Sequence, residues 1–185
     1  MSVNGKPAVR FTRTSKFVGQ MLVGSQSLGA GPVTLIAVYA FATMPAGTAD
    51  YGGSGIVNLG HAPGTTLEIA IDSKQGFAVY GPTFCYEPSA PALNQFRAQS
   101  VVYDKTGLQS FLNGVAVGPS KPQSPGVLGS EFVLAAHRYD YGTSLAGWEY
   151  FANSDIAEVI VYKRALTPTE RLAVEGYLKF KYKLP

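Results

Sequence analysis

Cysteine is almost missing from this chain of 185 residues, with Cys85 alone. A scaffold stapled by internal disulfides is thereby excluded, and the residue reads as a small apolar filler. No apolar run approaches the roughly 20 residues that a bilayer-spanning helix needs, so membrane insertion is not expected. The opening MSVNGKPAVRF lacks the basic-then-apolar layout of a secretory signal. Charge is thin as well. Fifteen Lys and Arg against twelve Asp and Glu leave a net +3 without any basic block, so a phosphate-tracking, nucleic-acid-binding surface is not indicated. The tightest basic group, Lys179, Lys181 and Lys183, falls at the end of a predicted helix, where cations complement the negative end of the macrodipole.

Motifs for common chemistries are also lacking. Gly52-Gly53-Ser54-Gly55 misses the closing glycine of a nucleophile elbow, and no Gly-Lys-Ser/Thr phosphate loop is present. His61 and His137 are far apart, and neither has a Cys or His at metal-ligand spacing. Asp140, Glu149 and Asp155 could serve calcium from loops, but no Asp-x-Asp-x-Asp-Gly pattern organises them. No metal and no cofactor is expected.

What the chain does have is glycine (21), proline (12) and 46% apolar residues, a composition suited to short strands, many turns and a buried core. A single domain, 1–185, is expected at this length, because no linker, low-complexity tract or repeat divides it. Strand-like runs bounded by turn residues recur at 8–11, 33–41, 55–59, 67–72, 77–80, 96–103, 108–112, 115–117, 132–136 and 156–162. Residues 33–41 are apolar at nearly every position, which places them at a sheet centre covered on both faces. Residues 67–72 alternate, which predicts a half-buried strand with Glu68 and Asp72 on the solvated side. Asp104 to Gly107 and Asn113-Gly114 are turns of a three-stranded meander, Asn113 being a turn former. Thr167-Pro168-Thr169-Glu170 is a capping box opening the one good helix, with Ala173, Val174, Tyr177 and Leu178 predicted as its docking face.

Residues 155–185 read DIAEVIVYKRALTPTERLAVEGYLKFKYKLP. This segment resembles the C-terminal signature of the concanavalin A-like lectin/glucanase superfamily, in the laminin G-like jelly-roll branch found in phage and bacterial surface proteins. That signature is a D-I-A-E-V-x-x-Y strand, an R-A-L turn, a capped helix and a closing Y-L-x-x-K-Y. Asn4-Gly5-Lys6-Pro7-Ala8-Val9-Arg10-Phe11 is similar to the family's opening strand, and Val102 to Gly114 to its central hairpin. One departure is Thr12-Arg13-Thr14-Ser15 where an Asp-Gly turn is usual. The resemblance implies an all-β antiparallel β-sandwich, a jelly roll, with one C-terminal α-helix packed on it. That architecture carries lectins, hydrolases and structural modules alike, so function has to be argued from sites.

Hydrolases on this fold carry paired carboxylates as E-x-D-x-E or E-x-D-x-x-E, which is absent here. Glu68 and Asp72 come nearest, sharing a strand face. Glu158 shares a face with Ile156, Ile160 and Tyr162, which predicts a buried ion pair with Arg10 or Arg164. The leading recognition surface is 137–154, where Tyr139, Asp140, Tyr141, Trp148, Glu149 and Tyr150 set aromatic faces among carboxylates, as sugar binding requires. Folding of Trp148 and Phe151 into the core edge is the competing reading. Residues 81–95, with Phe84, Tyr86 and Glu87 among three prolines, form a second candidate. A non-enzymatic recognition or attachment module is therefore expected, glycan-binding or adhesive, on a phage virion or bacterial surface. A structural decoration or fibre protein of the virion without a sugar ligand is the alternative, and a glycoside hydrolase the outsider. The expected location is the virion, or the cell surface as part of a longer extracellular chain. The partner is then a glycan or a virion or surface protein, and a homo-oligomer is compatible with all of these.

Overall fold

The computed structural model describes residues 2–15, 17–25, 27–44, 54–60, 66–72, 74–80, 83–122, 128–139 and 147–185. Twelve strands build two six-stranded antiparallel sheets. In chain order they are β1 (Val9–Phe11), β2 (Leu22–Ser25), β3 (Val33–Phe41), β4 (Ser54–Leu59), β5 (Leu67–Ile71), β6 (Gly76–Tyr80), β7 (Thr83–Tyr86), β8 (Arg97–Tyr103), β9 (Gly107–Leu112), β10 (Val115–Pro122), β11 (Glu131–Leu134) and β12 (Ser154–Tyr162). The first sheet runs β10-β9-β8-β3-β12-β1 and the second β7-β6-β5-β4-β11-β2. One helix, α1 (Pro168–Tyr182), follows β12. The all-β sandwich with a C-terminal helix is thus the architecture.

The sandwich interior is set by strand parity. Val33, Leu35, Ala37, Tyr39 and Phe41 of β3 meet Leu67, Ile69 and Ile71 of β5 in the main core. The intervening Ile36 and Val38 face the other way and pack under Leu166, Leu178 and Tyr182 of the helical segment. This is why β3 is buried at every position and lies between β8 and β12. Thr34 holds the crossing to the helix, donating to the Arg164 carbonyl at 3.0 Å and accepting from the Leu166 N–H at 2.9 Å. At the meander, Asn113 and Gly114 both have positive φ, 48° and 90°, the geometry of a tight type I′ turn. Asn113 also accepts the Ala98 N–H through Oδ1 at 3.0 Å. Asn4-Gly5 makes a similar positive-φ turn, so the predicted opening strand is split into a small hairpin, Ser2–Val3 with Lys6–Pro7, and β1.

Buried charge joins the two sheets. Arg97 at the start of β8 donates to both carboxylate oxygens of Glu87, at 2.8 and 2.7 Å, with 8% and 2% of their side chains exposed. The guanidinium carbon lies 5.1 Å and 5.0 Å from the ring centroids of Tyr39 and Phe41, so aromatic faces meet the cation where water cannot. Beside it the Tyr39 hydroxyl donates to Gln99 Oε1 at 2.5 Å, and Gln99 Nε2 to Ser110 Oγ at 3.0 Å, a polar rung across β3, β8 and β9. Burial holds that phenol protonated well above the ordinary range, against the opposing pull of Arg97.

Three expectations are corrected. The helix docks through Arg171, Glu175, Leu178 and Tyr182, with Val174 packed alongside, whereas Ala173 and Tyr177 are exposed. Arg171 and Glu175 can be buried because they pair at 2.6 Å across one turn and the guanidinium lies 3.5 Å over the Phe111 ring. Glu158 pairs with Lys181 Nζ and the Tyr182 hydroxyl, each at 2.9 Å, not with Arg10 or Arg164. The cause is a bulge between Ile156 and Glu158, which reverses facing so that Ile156, Val159 and Val161 point into the sandwich. Arg10 instead forks onto Asp155, both bonds 2.6 Å, tying β12 to β1, and Arg164 forks onto Glu170. Finally, 67–71 is buried at all five positions rather than half-buried, because a later segment covers its outer side.

Glu87→Ala, which strands Arg97 in the core, is expected to cost about 3–5 kcal/mol in denaturant unfolding. Any Cβ at Gly76 would collide with the Glu87 carboxylate and come within 2.8 Å of Arg97 Nη2, so Gly76→Ala should be severe in the wild type and milder where Glu87→Ala and Arg97→Ala remove both groups, a non-additivity that a mutant cycle reads directly. At the helix start, Arg164 and the Thr167 cap hold the Glu170 carboxyl down to about 2, from an ordinary 4.5. A carboxylate lowered on folding contributes stability above its unfolded value and loses it as the pH falls through the folded one. The melting temperatures of wild type and Glu170→Gln should therefore differ above pH 4.5 and converge toward pH 2.

Candidate functional site

With the helix closing the outer face of the first sheet, the second sheet is left with an outer face of its own. Across it runs one row of residues in register: Val23 on β2, Val133 on β11, Asn58 on β4, Glu68 on β5, Val79 on β6 and Phe84 on β7. Their neighbours two positions away, Ala70 on β5 and Tyr86 on β7, share this face.

Glu68 lies at the centre of the row and is 1% exposed. Its Oε2 is 2.7 Å from His137 Nδ1, which is also 3.1 Å from Asn58 Nδ2. A neutral or charged ring that donates from Nδ1 satisfies the carboxylate oxygen; Oε1 is buried without a hydrogen-bond partner. His137 begins a two-stranded ribbon, His137–Tyr139 paired with Gly147–Glu149, with Arg138 opposite Trp148 and His137 opposite Glu149. The ribbon is rooted on β4: the Gly55 N–H donates to the Tyr150 carbonyl at 3.1 Å and the Ala135 N–H to the Ile56 carbonyl at 3.0 Å. Gly55 is required there, since a Cβ would come within 2.7 Å of both the Ala136 carbonyl oxygen and Glu68 Oε1. The residues at which the chain enters and leaves the ribbon, Ala135 and Tyr150, both sit in the left-handed region, φ 64° and 55°. That conformation carries strain for residues with a Cβ and concentrates at functional places.

Of the residues singled out in the sequence, Asp140 and Tyr141 lie outside the described residues. For Tyr139, Trp148 and Glu149 the backbone alone is described. Tyr150 is 5% exposed and meets the His137 ring edge-on, centroids 6.0 Å apart, so it supports the ribbon from beneath. Phe151 is buried with Val133 and Ala136 against Met21, the core-edge packing considered above for this residue. Glu68 is under the ribbon and Asp72 caps the following turn, its Oδ1 accepting the Lys74 and Gln75 N–H groups at 2.7 and 2.8 Å. The two carboxylates are therefore not a facing pair. Among the described residues no three His, Cys, Asp or Glu side chains gather in a way suited to a metal ion.

The second candidate, 81–95, divides by parity. Cys85 and Glu87 face inward and are buried, whereas Phe84 and Tyr86 stand on the outer face, 39% and 44% exposed. Their rings are parallel within 8°, centroids 5.6 Å apart. Partial burial and the charge of Asp72 raise the Tyr86 hydroxyl above its ordinary value, so it stays a hydrogen-bond donor. This pair is three strand spacings from Asn58, roughly 14 Å. The F-x-Y alternation was visible in the sequence; the Glu68–His137 contact, spanning 69 residues, left no local trace.

No family model matches the chain, and no curated protein matches it in sequence. Solved structures do share the fold. A heptameric SAP-like pentraxin from Limulus polyphemus superposes with a TM-score of 0.61 at 14% identity, covering 87% of this chain and 78% of that one. Botulinum neurotoxin type C, in a structure concerned with its dependence on two ganglioside molecules for cell entry, gives 0.65 at 9% identity over 96% of this chain. Trypanosoma rangeli sialidase gives 0.58 at 14% identity over 92% of this chain. The chain spans 28% of that sialidase and 44% of the toxin chain. What the chain shares with them is the fold, a two-sheet antiparallel β-sandwich.

If Glu68 and His137 hold the ribbon down, Glu68→Ala should raise amide hydrogen exchange at 147–149 well before it affects the amides of β8 and β9. Uniform loss of protection would instead make Glu68 a part of the global core.

Proposed function

We propose that the outer face of the second sheet binds carbohydrate, and that the protein is a non-catalytic attachment module displayed on a phage virion or bacterial surface. The observation that carries this reading is the exposed parallel pair Phe84 and Tyr86 on that face. The ribbon of 137–139 with 147–149, whose sequence adds Tyr139 and Trp148, is rooted on the same face above Asn58 and Glu68. Aromatic faces pack on the C–H faces of sugars, while hydroxyls and carboxylates nearby orient them. The roughly 14 Å between the pair and the foot of the ribbon favours an extended oligosaccharide over a single ring. The toxin that depends on two ganglioside molecules for cell entry is compatible with such a ligand.

Against catalysis stands the state of the carboxylates. Glu68 is sealed under the ribbon, 1% exposed and engaged by His137, and Asp72 is held in its turn, so the two do not flank a common cleft as an acid and a nucleophile must.

A glycan array followed by calorimetric titration tests the reading. Phe84→Ala combined with Tyr86→Ala should weaken binding of the strongest hit about tenfold, the loss of two aromatic contacts, and Trp148→Ala should weaken it independently. No hit on the array, or hits indifferent to all three substitutions, would sink it. Copurification with intact particles under those conditions would favour structural decoration.

A further inference from the structure

The two side edges of the sandwich are not alike. At one, β7 and β10 close on each other, so that a Cβ at Gly118 would stand 3.5 Å from the Tyr86 carbonyl oxygen. At the other, where β1, β12 and β2 lie, a cavity of 460 Å³ opens between the sheets. Leu28, Phe132, Leu134, Val159 and Val161 line it; all pack against the main core, yet all are only partly buried. The cause is on β12. Over Ser154–Ile156, where β1 pairs with it, the strand is buried. From Ala157 to Tyr162 it is partly exposed at every position. Glu158–Tyr162 pair with β3 on one side, and among the described residues no strand pairs with their other side.

The backbone selects the occupant. In an antiparallel sheet, alternate N–H and C=O groups of a strand point to each neighbour, so half of those in 158–162 face the open slot. An acyl chain or a sugar cannot pair with them in series; one more strand can. Val159-Ile160-Val161 favours extended backbone and carries neither proline nor charge, and Glu158 is turned to Lys181 and Tyr182. We infer that this slot is a β-augmentation site, which takes an extended segment of another polypeptide about five residues long. Running antiparallel to β12, as β1 does, the segment continues the sheet where β1 stops. Its side chains opposite Val159 and Val161 share their face and enter the cavity, so they are apolar. Lys163, exposed and without an ion pair among the described residues, follows the slot and sets an acidic residue at the segment's first position. The slot is roughly 17 Å long, bounded by β1 and by the turn in which Arg164 forks onto Glu170. A short free segment fits it, whereas a second folded copy would bring its own β1 and turn against these ends. The inference is independent of the carbohydrate reading, since the slot lies at an edge and the aromatic pair on an outer face.

Selection of a displayed random heptapeptide library on the full chain tests it. The selected sequences should carry apolar residues at alternate positions behind an acidic one. A synthetic peptide of the strongest sequence should bind with a dissociation constant below about 1 mM and slow amide hydrogen exchange at 158–162. N-methylation of those peptide amides that face β12 should weaken binding at least tenfold, while methylation of the intervening amides leaves it unchanged. Lys163→Glu, at an exposed position, should weaken it about threefold. A selection without alternating apolar positions overturns the inference, as does protection elsewhere than 158–162, or binding indifferent to N-methylation or to Lys163→Glu. A wild-type dimer in sedimentation equilibrium whose contact protects these same amides would assign the slot to a second copy and overturn it too.

Discussion

The ion pair between Arg97 and Glu87 is the constraint to which much of the rest answers. Each partner comes from a different sheet and both are shut away from water, so neither can be buried without the other. Its demands spread outward. Gly76 must be glycine to leave room for the carboxylate, and Tyr39 and Phe41 must present ring faces to the guanidinium. Because Glu87 faces inward, strand parity turns Cys85 inward as well and sends Phe84 and Tyr86 to the outer face. The aromatic station at the edge of the second sheet is therefore a consequence of a charge buried between the sheets.

A second pair acts at the opposite edge. Arg10 and Asp155 join β1 to the start of β12, and immediately afterwards the bulge at Ala157 re-aims the strand. Before it, Ile156 points into the sandwich; after it, Val159 and Val161 do, and Glu158 is freed to meet Lys181 and Tyr182 at the end of the helix. The bulge thus fits one strand to two neighbours, a core on one side and a docked helix on the other. With the helix so placed, the two outer faces of the sandwich have different roles: one is closed, and the other carries the ribbon and the aromatic pair.

Much of this was legible in the chain. Residues 33–41 announce a doubly covered strand by being apolar throughout, Asn113-Gly114 a tight turn, and Thr167 to Glu170 a capping box, because each rests on local backbone preference or parity. What sequence reasoning missed depends on contacts distant along the chain. Alternation placed Glu68 in solvent, since nothing near it shows that a ribbon begun by His137 folds over it. Regular alternation likewise put Glu158 beside Ile156, because a single inserted residue has no signature in composition. The helix face was misjudged for a related reason: periodicity ranks Ala173 and Tyr177 above Arg171 and Glu175, and has no means of knowing that the ions neutralise each other and that Phe111 waits beneath the guanidinium.

The two clearest of these buried pairs share a geometric corollary. Glu87 with Arg97 and Arg171 with Glu175 place charge inside an element, and in each case the positions displaced outward are apolar: Phe84 and Tyr86 on the strand, Leu172 and Phe180 on the helix. Exchanging inside for outside would give a more ordinary amphipathic strand and helix, since apolar side chains of similar volume replace buried ion pairs with little loss of stability or even a gain. The arrangement found forgoes that gain at both places and obtains, on opposite sides of the sandwich, two exposed apolar surfaces. Scattered exposed apolar residues need no explanation; two rings held in parallel on one strand do. Their common origin in buried charge explains how one small sandwich keeps a solid core while leaving apolar side chains exposed on one sheet and on the helix that covers the other.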